Sequence, residues 1–428
     1  TIRNTMTSTA PTTPDAPNNA ILLDDINKNM TVDEIGVPII DMSQPDKSKL
    51  ILQIANACST WGFFQLTSHG IPDELLQSFQ TQMKVFFDLP IDIKKKLKRN
   101  ECNARGFFDD ELTKRRRDWK EALDCGVPGS RDWSCADDDD VNACLDGLNQ
   151  FPSVEDAPYF RSVVVEYFEA CAELSDRIAI LMAQGLGVDT ENSASSDDDL
   201  LQNLRKQHTS YLRMNYYPPC PLGKEDEKKE EDNPPPLGIS PHRDAGFLTV
   251  LLQDDDCHSL QVEDRNSHEN QNETKWVTVK PVPGALTINT GDMAMIWSNG
   301  KYQAPLHRVL TDASKKRYSA PFFYNPGYSA HISPLPHLTS DKKDVGQHMS
   351  CVYHPCVWGY FRAVRFAGDL TDLGVEIQTS DFLVHPKNDN DEDVTKKMKS
   401  NHLEKQAAFV KEADFQKPFS VERYRPLL

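Results

Sequence analysis

Ser240-Pro241-His242-Arg243-Asp244, then His307-Arg308-Val309 and Arg317-Tyr318-Ser319, are the segments on which the reading of this chain turns. Residues two apart in an extended strand share a face. His242 and Asp244 therefore point one way, while Arg243 points outward in a structural role. Arg317 and Ser319 share a face by the same parity. Around these segments the sequence breaks into strand-like pieces: Ser210–Tyr217, Phe247–Gln253, Leu260–Val262, Trp276–Val279, Ala285–Asn289, Met293–Trp297, His307–Leu310 and Tyr318–Tyr324. Pro283-Gly284, Thr290-Gly291-Asp292 and Asn299-Gly300 supply turns between them. Many short strands with regular turns argue for a sandwich or jelly-roll barrel.

Upstream the pattern changes. Val37-Pro38-Ile39-Ile40-Asp41 is a short strand signal, and Lys49 to Cys58 places Leu50, Ile54, Ala57 and Cys58 on one helical face. Trp61 to Leu66 reads as a buried strand. Pro72-Asp73-Glu74 opens a helix carrying Leu76, Phe79, Met83 and Phe86. From Ala157 to Gly187 a long amphipathic helix repeats Val164, Phe168, Cys171, Leu174, Ile178 and Leu181 at helical spacing, and its stripe is core packing. Helices before strands make the chain α+β. Residues 1–35 are polar and draped, 36–204 form an N-terminal region, 205–330 the jelly roll, and 331–428 an extension with one helix from about Asp393 to Ala413. Asp137–Asp140 and Gly223–Pro236 read as surface loops; the acidic run lacks the spaced ligands and glycine of a calcium loop.

The formal charge of −18 over 428 residues disfavours nucleic acid and anionic membranes as partners. The ten cysteines form no C-x-x-C pair, which suits free thiols in a reducing, cytosolic setting. The N-terminus shows no apolar signal segment.

Two imidazoles and a carboxylate suit ferrous iron, and held on one face of an octahedron they leave three positions open, as in non-haem Fe(II) oxygenases. A lone H-x-D is a weak signal; His307 on a later strand strengthens it. Arg317 and Ser319, ten residues after His307, offer a guanidinium fork and a hydroxyl to a carboxylate. The alternative is a buried ion pair between Arg317 and an Asp or Glu.

With these residues stand Trp61-Gly62-Phe63-Phe64, His69-Gly70, Asp118-Trp119-Lys120-Glu121, Arg213-Met214-Asn215-Tyr216-Tyr217-Pro218-Pro219-Cys220, Gly291-Asp292, Ser298 to Tyr302 and Trp358-Gly359. In this order they resemble the 2-oxoglutarate- and Fe(II)-dependent dioxygenases of the isopenicillin N synthase-like group, from Val37 to about Val384. The resemblance implies a double-stranded β-helix with a buttress of N-terminal helices and strands and a long supporting helix. It implies iron on His242, Asp244 and His307, and the distal carboxylate of 2-oxoglutarate on Arg317 and Ser319 beside Tyr217. Asn215 would lie near the keto-acid end. It further implies O2 as co-substrate and decarboxylation of 2-oxoglutarate to succinate, coupled to substrate oxidation. Relatives in this group that use no 2-oxoglutarate keep the same Arg-x-Ser pair, so an oxidase without it is one alternative, and a non-catalytic metal-binding scaffold another.

If Asn215 and Tyr217 face the cavity, Arg213 and Tyr211 do too. A buried Arg needs a partner: Arg213 either pairs with a protein carboxylate or receives an anionic substrate. Phe323 and Phe107 are candidate apolar walls, with ordinary core the competing reading. His208, His258 and His268 lack partners at ligand spacing. The expected substrate is a small metabolite, carboxylate-bearing and amino-acid-derived in character, undergoing hydroxylation, desaturation or oxidative ring closure.

Overall fold

The computed structural model describes residues 36–100, 103–113, 116–128, 147–190, 199–206, 208–220, 236–265, 274–339, 352–362, 365 and 379–384. The polar N-terminus, the Asp137–Asp140 run, nearly all of the 223–236 insert and the expected 393–413 helix lie outside them.

In chain order the elements are β1 (Ile39–Asp41), α1 (Lys47–Thr60), β2 (Phe63–Thr67), α2 (Asp73–Asp88), α3 (Ile91–Lys96) and β3 (Gly106–Phe108). A hairpin of β4 (Leu112–Thr113) and β5 (Arg116–Arg117), then β6 (Glu121–Gly126), α4 (Phe160–Gly185), α5 (Asp199–Lys206) and β7 (Tyr211–Tyr217) follow. The remainder is β8 (Leu237–His242), β9 (Leu248–Gln253), β10 (Leu260–Glu263), β11 (Trp276–Thr278), β12 (Leu286–Thr290), α6 (Asp292–Trp297), β13 (His307–Leu310) and β14 (Arg317–Tyr324).

Two sheets carry the fold. The larger runs β1-β2-β12-β9-β14-β7-β6-β3 and the smaller β11-β10-β13-β8. Tyr217 and Leu251 of the larger sheet pack with Leu260, Val262 and Val309 of the smaller, so one apolar cluster joins them. The residues before 205 are not a separate layer: β2 pairs with β12, and β6 with β7, inside the same sheet.

The helices form where periodicity puts them. Asp46 caps α1, its side chain accepting from the Lys49 amide at 3.1 Å. α4 buries Val164, Phe168, Cys171, Leu174 and Ile178. It supports the back of the sheet through Phe168, whose ring meets Phe322 of β14 edge-on at 4.9 Å. Phe79 of α2 stacks on Tyr167 of α4 at 3.9 Å. No helix among the described residues is long and apolar enough to cross a membrane. Cys58, Cys125, Cys171, Cys220, Cys257 and Cys356 are free and buried.

One expected strand is a helix. Met293–Trp297 lies within α6, and all but Met295 of α6 is buried. An apolar run buried on most sides does not reveal its period. Backbone contacts decide instead: the amides of Gly291, Asp292 and Met293 donate to the carbonyls of Phe247, Asp244 and Gly246. Gly291 permits this approach, since a Cβ there would sit 2.2 Å from the Gly246 oxygen.

Candidate metal and co-substrate site

β8 ends at His242 and β13 begins at His307, and the two residues are paired in register. Asp244 follows on the turn that leads into β9. One ligand atom from each of the three lies within 4.8 Å of the others. His242 Nε2 is 3.7 Å and His307 Nε2 3.6 Å from Asp244 Oδ1.

Neighbouring groups aim these atoms. His242 Nδ1 bonds to the Ser240 carbonyl at 2.8 Å and His307 Nδ1 to the Pro305 carbonyl at 3.1 Å. A carbonyl accepts only, so each Nδ1 carries a proton and each Nε2 is the atom turned toward Asp244. Asp244 Oδ2 accepts from Thr249 Oγ1 at 2.6 Å and Asn289 Nδ2 at 2.7 Å, leaving Oδ1 toward the histidines. Burial, followed by the neighbouring His307, pushes the His242 pKa down to about 3, so the ring is neutral at physiological pH. Burial pushes Asp244 upward, but the imidazoles and the Asn289 and Thr249 hydrogen bonds outweigh it and hold the carboxylate ionised. Two imidazoles and one carboxylate oxygen converging in a buried cavity fit a divalent iron.

Arg317 and Ser319 line the same cavity with Asn215 and Tyr217. Arg317 is 2% exposed. Its Nη1 donates to Ser319 Oγ at 3.1 Å and its Nη2 to Gln253 Oε1 at 3.0 Å, while Nε has no partner. The Tyr217 ring lies 5.0 Å from the guanidinium carbon. Gly238 lets that ring sit close, because a Cβ there would be 2.9 Å from Tyr217 Cδ1. Among the described residues Arg317 makes no ion pair, so the Asp or Glu partner weighed from the sequence is not found. Asn215 Oδ1 is likewise buried without a partner.

Arg213 resolves its alternative the other way. Its Nε and Nη2 donate to Asp124 at 2.8 Å each, and its Nη1 reaches Glu111 at 2.9 Å. Lys120 meets the same Glu111 at 2.6 Å and Asp118 at 3.0 Å. The buried ion-pair chain alternates in charge, Asp118, Lys120, Glu111, Arg213, Asp124, and its three central members line the cavity. Tyr211 and Phe323, opposite each other in register, stack at 4.6 Å and line the cavity.

Phe107 does not line the cavity. It is fully buried, packing against Phe86 at 6.3 Å beneath Lys94. The alternation of β3 turns its neighbour Phe108 to the other side, where the fully buried ring lies 4.9 Å from the Arg213 guanidinium carbon. Arg243 turns aside, donating to the Ala304 carbonyl and lying 3.6 Å from Glu263. His208 stacks on Phe168 at 6.4 Å.

The sequence reading missed Thr249, Asn289, Gln253, Glu111, Asn325, Trp358, Arg362 and Arg365. Thr249 and Gln253 on β9 and Asn289 on β12 had a signal, being polar positions at period two within apolar strands. Asn325 continues the cavity-facing series 317, 319, 321, 323 of the clamp strand.

Residues 208–326 match the 2OG-Fe(II) oxygenase superfamily, and residues 37–154 match the family of the non-haem dioxygenase in morphine synthesis N-terminal region. Jasmonate-induced oxygenase 2 of Arabidopsis thaliana is 31% identical over 336 residues, covering 76% of this chain and 78% of the relative. The chain belongs to the 2OG-Fe(II) oxygenase superfamily. Homoarginine-6-hydroxylase 2-ODD-C23 of Glycine max is 30% identical to this oxygenase, over 72% of this chain and 90% of the relative. The crystal structure of JOX2 in complex with 2OG, Fe and JA superposes with a TM-score of 0.59 at 29% identity, covering 76% of this chain and 83% of that one. Neurospora crassa T7H in complex with alpha-KG and thymine reaches 0.61 at 21% identity over 79% and 99%, a likeness of fold. This oxygenase is therefore an Fe(II)- and 2-oxoglutarate-dependent enzyme that uses O2. Its core is the jelly roll of that superfamily.

Proposed function

We propose that this oxygenase holds Fe(II) on His242 Nε2, His307 Nε2 and Asp244 Oδ1. We further propose that it holds 2-oxoglutarate by Arg317 and Ser319, with Tyr217 beside the distal carboxylate and Asn215 at the keto-acid end. The product is an oxidised small carboxylate-bearing metabolite, with hydroxylation the default and desaturation or ring closure open to the same centre.

The observation that carries the reading is the buried Arg317 with neutral partners only, in the same cavity as three convergent ligand atoms. A buried guanidinium without a counter-charge is costly, and a carboxylate of 2-oxoglutarate would supply that charge with two parallel hydrogen bonds. When bound, iron and 2-oxoglutarate supply the activation of O2. The chain's own residues position and shield. The Ser240 and Pro305 carbonyls orient the imidazoles, Thr249 and Asn289 fix Asp244, and Phe63, Ile239, Leu251, Leu260 and Val309 keep the cavity wall apolar.

Support for an acidic substrate comes from Tyr211. The guanidinium carbons of Arg105, Arg362 and Arg213 lie 4.9, 5.6 and 5.9 Å from its ring centroid. Arg213 is closed on Asp124 and Glu111 and adds field rather than contact. Arg362 lies on the cavity wall and is the candidate contact for the substrate carboxylate. The JOX2 structure in complex with 2OG, Fe and JA supports a small molecule. The buried free thiols are compatible with a cytosolic setting.

The test is succinate release under O2 with a panel of small carboxylic acids. An active acid should show a raised KM with Arg362→Ala, roughly 10–100-fold, while 2-oxoglutarate turnover without substrate persists. An unchanged KM would remove the carboxylate assignment, and no stimulation by any acid would remove the substrate class.

A further inference from the structure

Gln253 is the group that fixes Arg317, and it does so without neutralising it. Gln253 ends β9, in register with Ser319 of β14, so Arg317 is its diagonal neighbour. Its Oε1 accepts from Arg317 Nη2 at 3.0 Å, and its Nε2 donates to Thr287 Oγ1 on β12 at 3.3 Å. A guanidinium only donates, so the amide must turn its oxygen toward Arg317, and the Thr287 hydroxyl holds it that way. Gln253 is 6% exposed and is not among the cavity-lining residues. It sits behind the guanidinium rather than where a ligand would.

The chemistry of this position matters because, among the described residues, the hydrogen-bond and ring partners of Arg317 are neutral: the Ser319 hydroxyl, the Gln253 amide and the Tyr217 ring. The adjacent Asp254, on the opposite strand face, spends its carboxylate on the Tyr318 amide at 2.7 Å. A Glu at 253 would have the same length and shape and would satisfy the guanidinium fully. It would also leave nothing for an anionic co-substrate to do.

We propose that Gln253 is a positioning residue for 2-oxoglutarate, a neutral acceptor that orients the Arg317 fork while preserving its charge for the co-substrate. This rests on Arg317 being the 2-oxoglutarate clamp. Binding is read from anaerobic titration of 2-oxoglutarate into the Fe(II)-loaded full chain, followed by the visible charge-transfer band. Fe(II) affinity without 2-oxoglutarate and melting temperature are measured alongside.

Gln253→Met should fold and raise the 2-oxoglutarate Kd roughly 10–100-fold. Gln253→Glu should raise it further, beyond about 100-fold, because a resident carboxylate competes. Both variants should leave Fe(II) affinity within about twofold of wild type. A packing role predicts the opposite order, with the isosteric Gln253→Glu the milder change; that order, or wild-type 2-oxoglutarate affinity in either variant, overturns the proposal. If Gln253→Glu does not fold, the Met variant carries the test alone. Arg317→Gln separates the two claims. If it too leaves 2-oxoglutarate binding unchanged, the clamp reading itself fails; if it abolishes binding while the Gln253 variants do not, only the role of Gln253 falls.

Discussion

Asp244 shows how single atoms are divided between duties. Its Oδ2 is taken by Thr249 and Asn289, and only Oδ1 is presented to the histidines. Removing one of those donors frees the carboxylate to rotate and leaves an oxygen unsatisfied. Asn289→Ala should therefore lower divalent-metal affinity about 10–100-fold, measured by titration with Co(II) as a probe; unchanged affinity would mean the second oxygen needs no anchor. Strand parity put His242 and Asp244 on one face and carried Tyr211 and Arg213 to the face of Asn215 and Tyr217; His307 and the roles proposed for these residues came from the family resemblance. The partner of Arg213 was not readable. Asp124 lies 89 residues away on β6, and only the β6–β7 pairing brings it opposite. Phe107 took the competing reading, ordinary core, because composition alone does not tell a buried cavity wall from buried packing.

Among elements, α6 and the β4–β5 hairpin set the site's frame. α6 docks its first amides on the turn after Asp244, and Gly291 is the point of closest approach. Gly291→Ala should cost about 1–3 kcal/mol by overpacking and weaken metal binding with it. A denaturant melt paired with metal titration checks this, and loss of neither would mean the turn yields easily. The segment just before the hairpin delivers Glu111 to Arg213 and Lys120. Burial opposes ionisation of Glu111, but the charges of Arg213, Lys120 and Arg99 prevail and hold its pKa well below the ordinary 4.5. The ionised carboxylate thus stabilises the fold at pH above about 4.5, and that contribution fades as pH falls toward the folded value. Glu111→Gln should lose roughly 1–3 kcal/mol at neutral pH and show a shallower further loss between pH 5 and 3. Equal slopes in urea melts of the two proteins would contradict the ion-pair account. Helices with a long stripe, α1, α2 and α4, were legible because their periodicity is strong. α6 was not, because six mostly buried residues carry no period.

For the molecule as a whole, the jelly roll brings residues from positions 63 to 365 onto one cavity. The N-terminal strands of the buttress join the edges of its larger sheet. The His242-x-Asp244 and Arg317-x-Ser319 pairs were legible because each rests on short-range spacing, whereas His307 and the roles proposed for all five came from the family resemblance. Period-two polar positions hinted at Thr249, Gln253, Thr287 and Asn289 one strand at a time, but not at the band they form, which exists only once β9 and β12 are paired. Sequence reading assigned no cavity role to the C-terminal segment, where Trp358, Arg362 and Arg365 line the wall and Arg365 pairs with the buried Asp292. The central claim is one centre that holds iron and 2-oxoglutarate together. Anaerobic addition of Fe(II) and then 2-oxoglutarate to the full chain tests it most directly. The account predicts a weak visible charge-transfer band that is lost in His307→Ala and shifted to much higher 2-oxoglutarate concentration in Arg317→Gln. No band in the wild-type protein, or an undiminished band in His307→Ala, would contradict it.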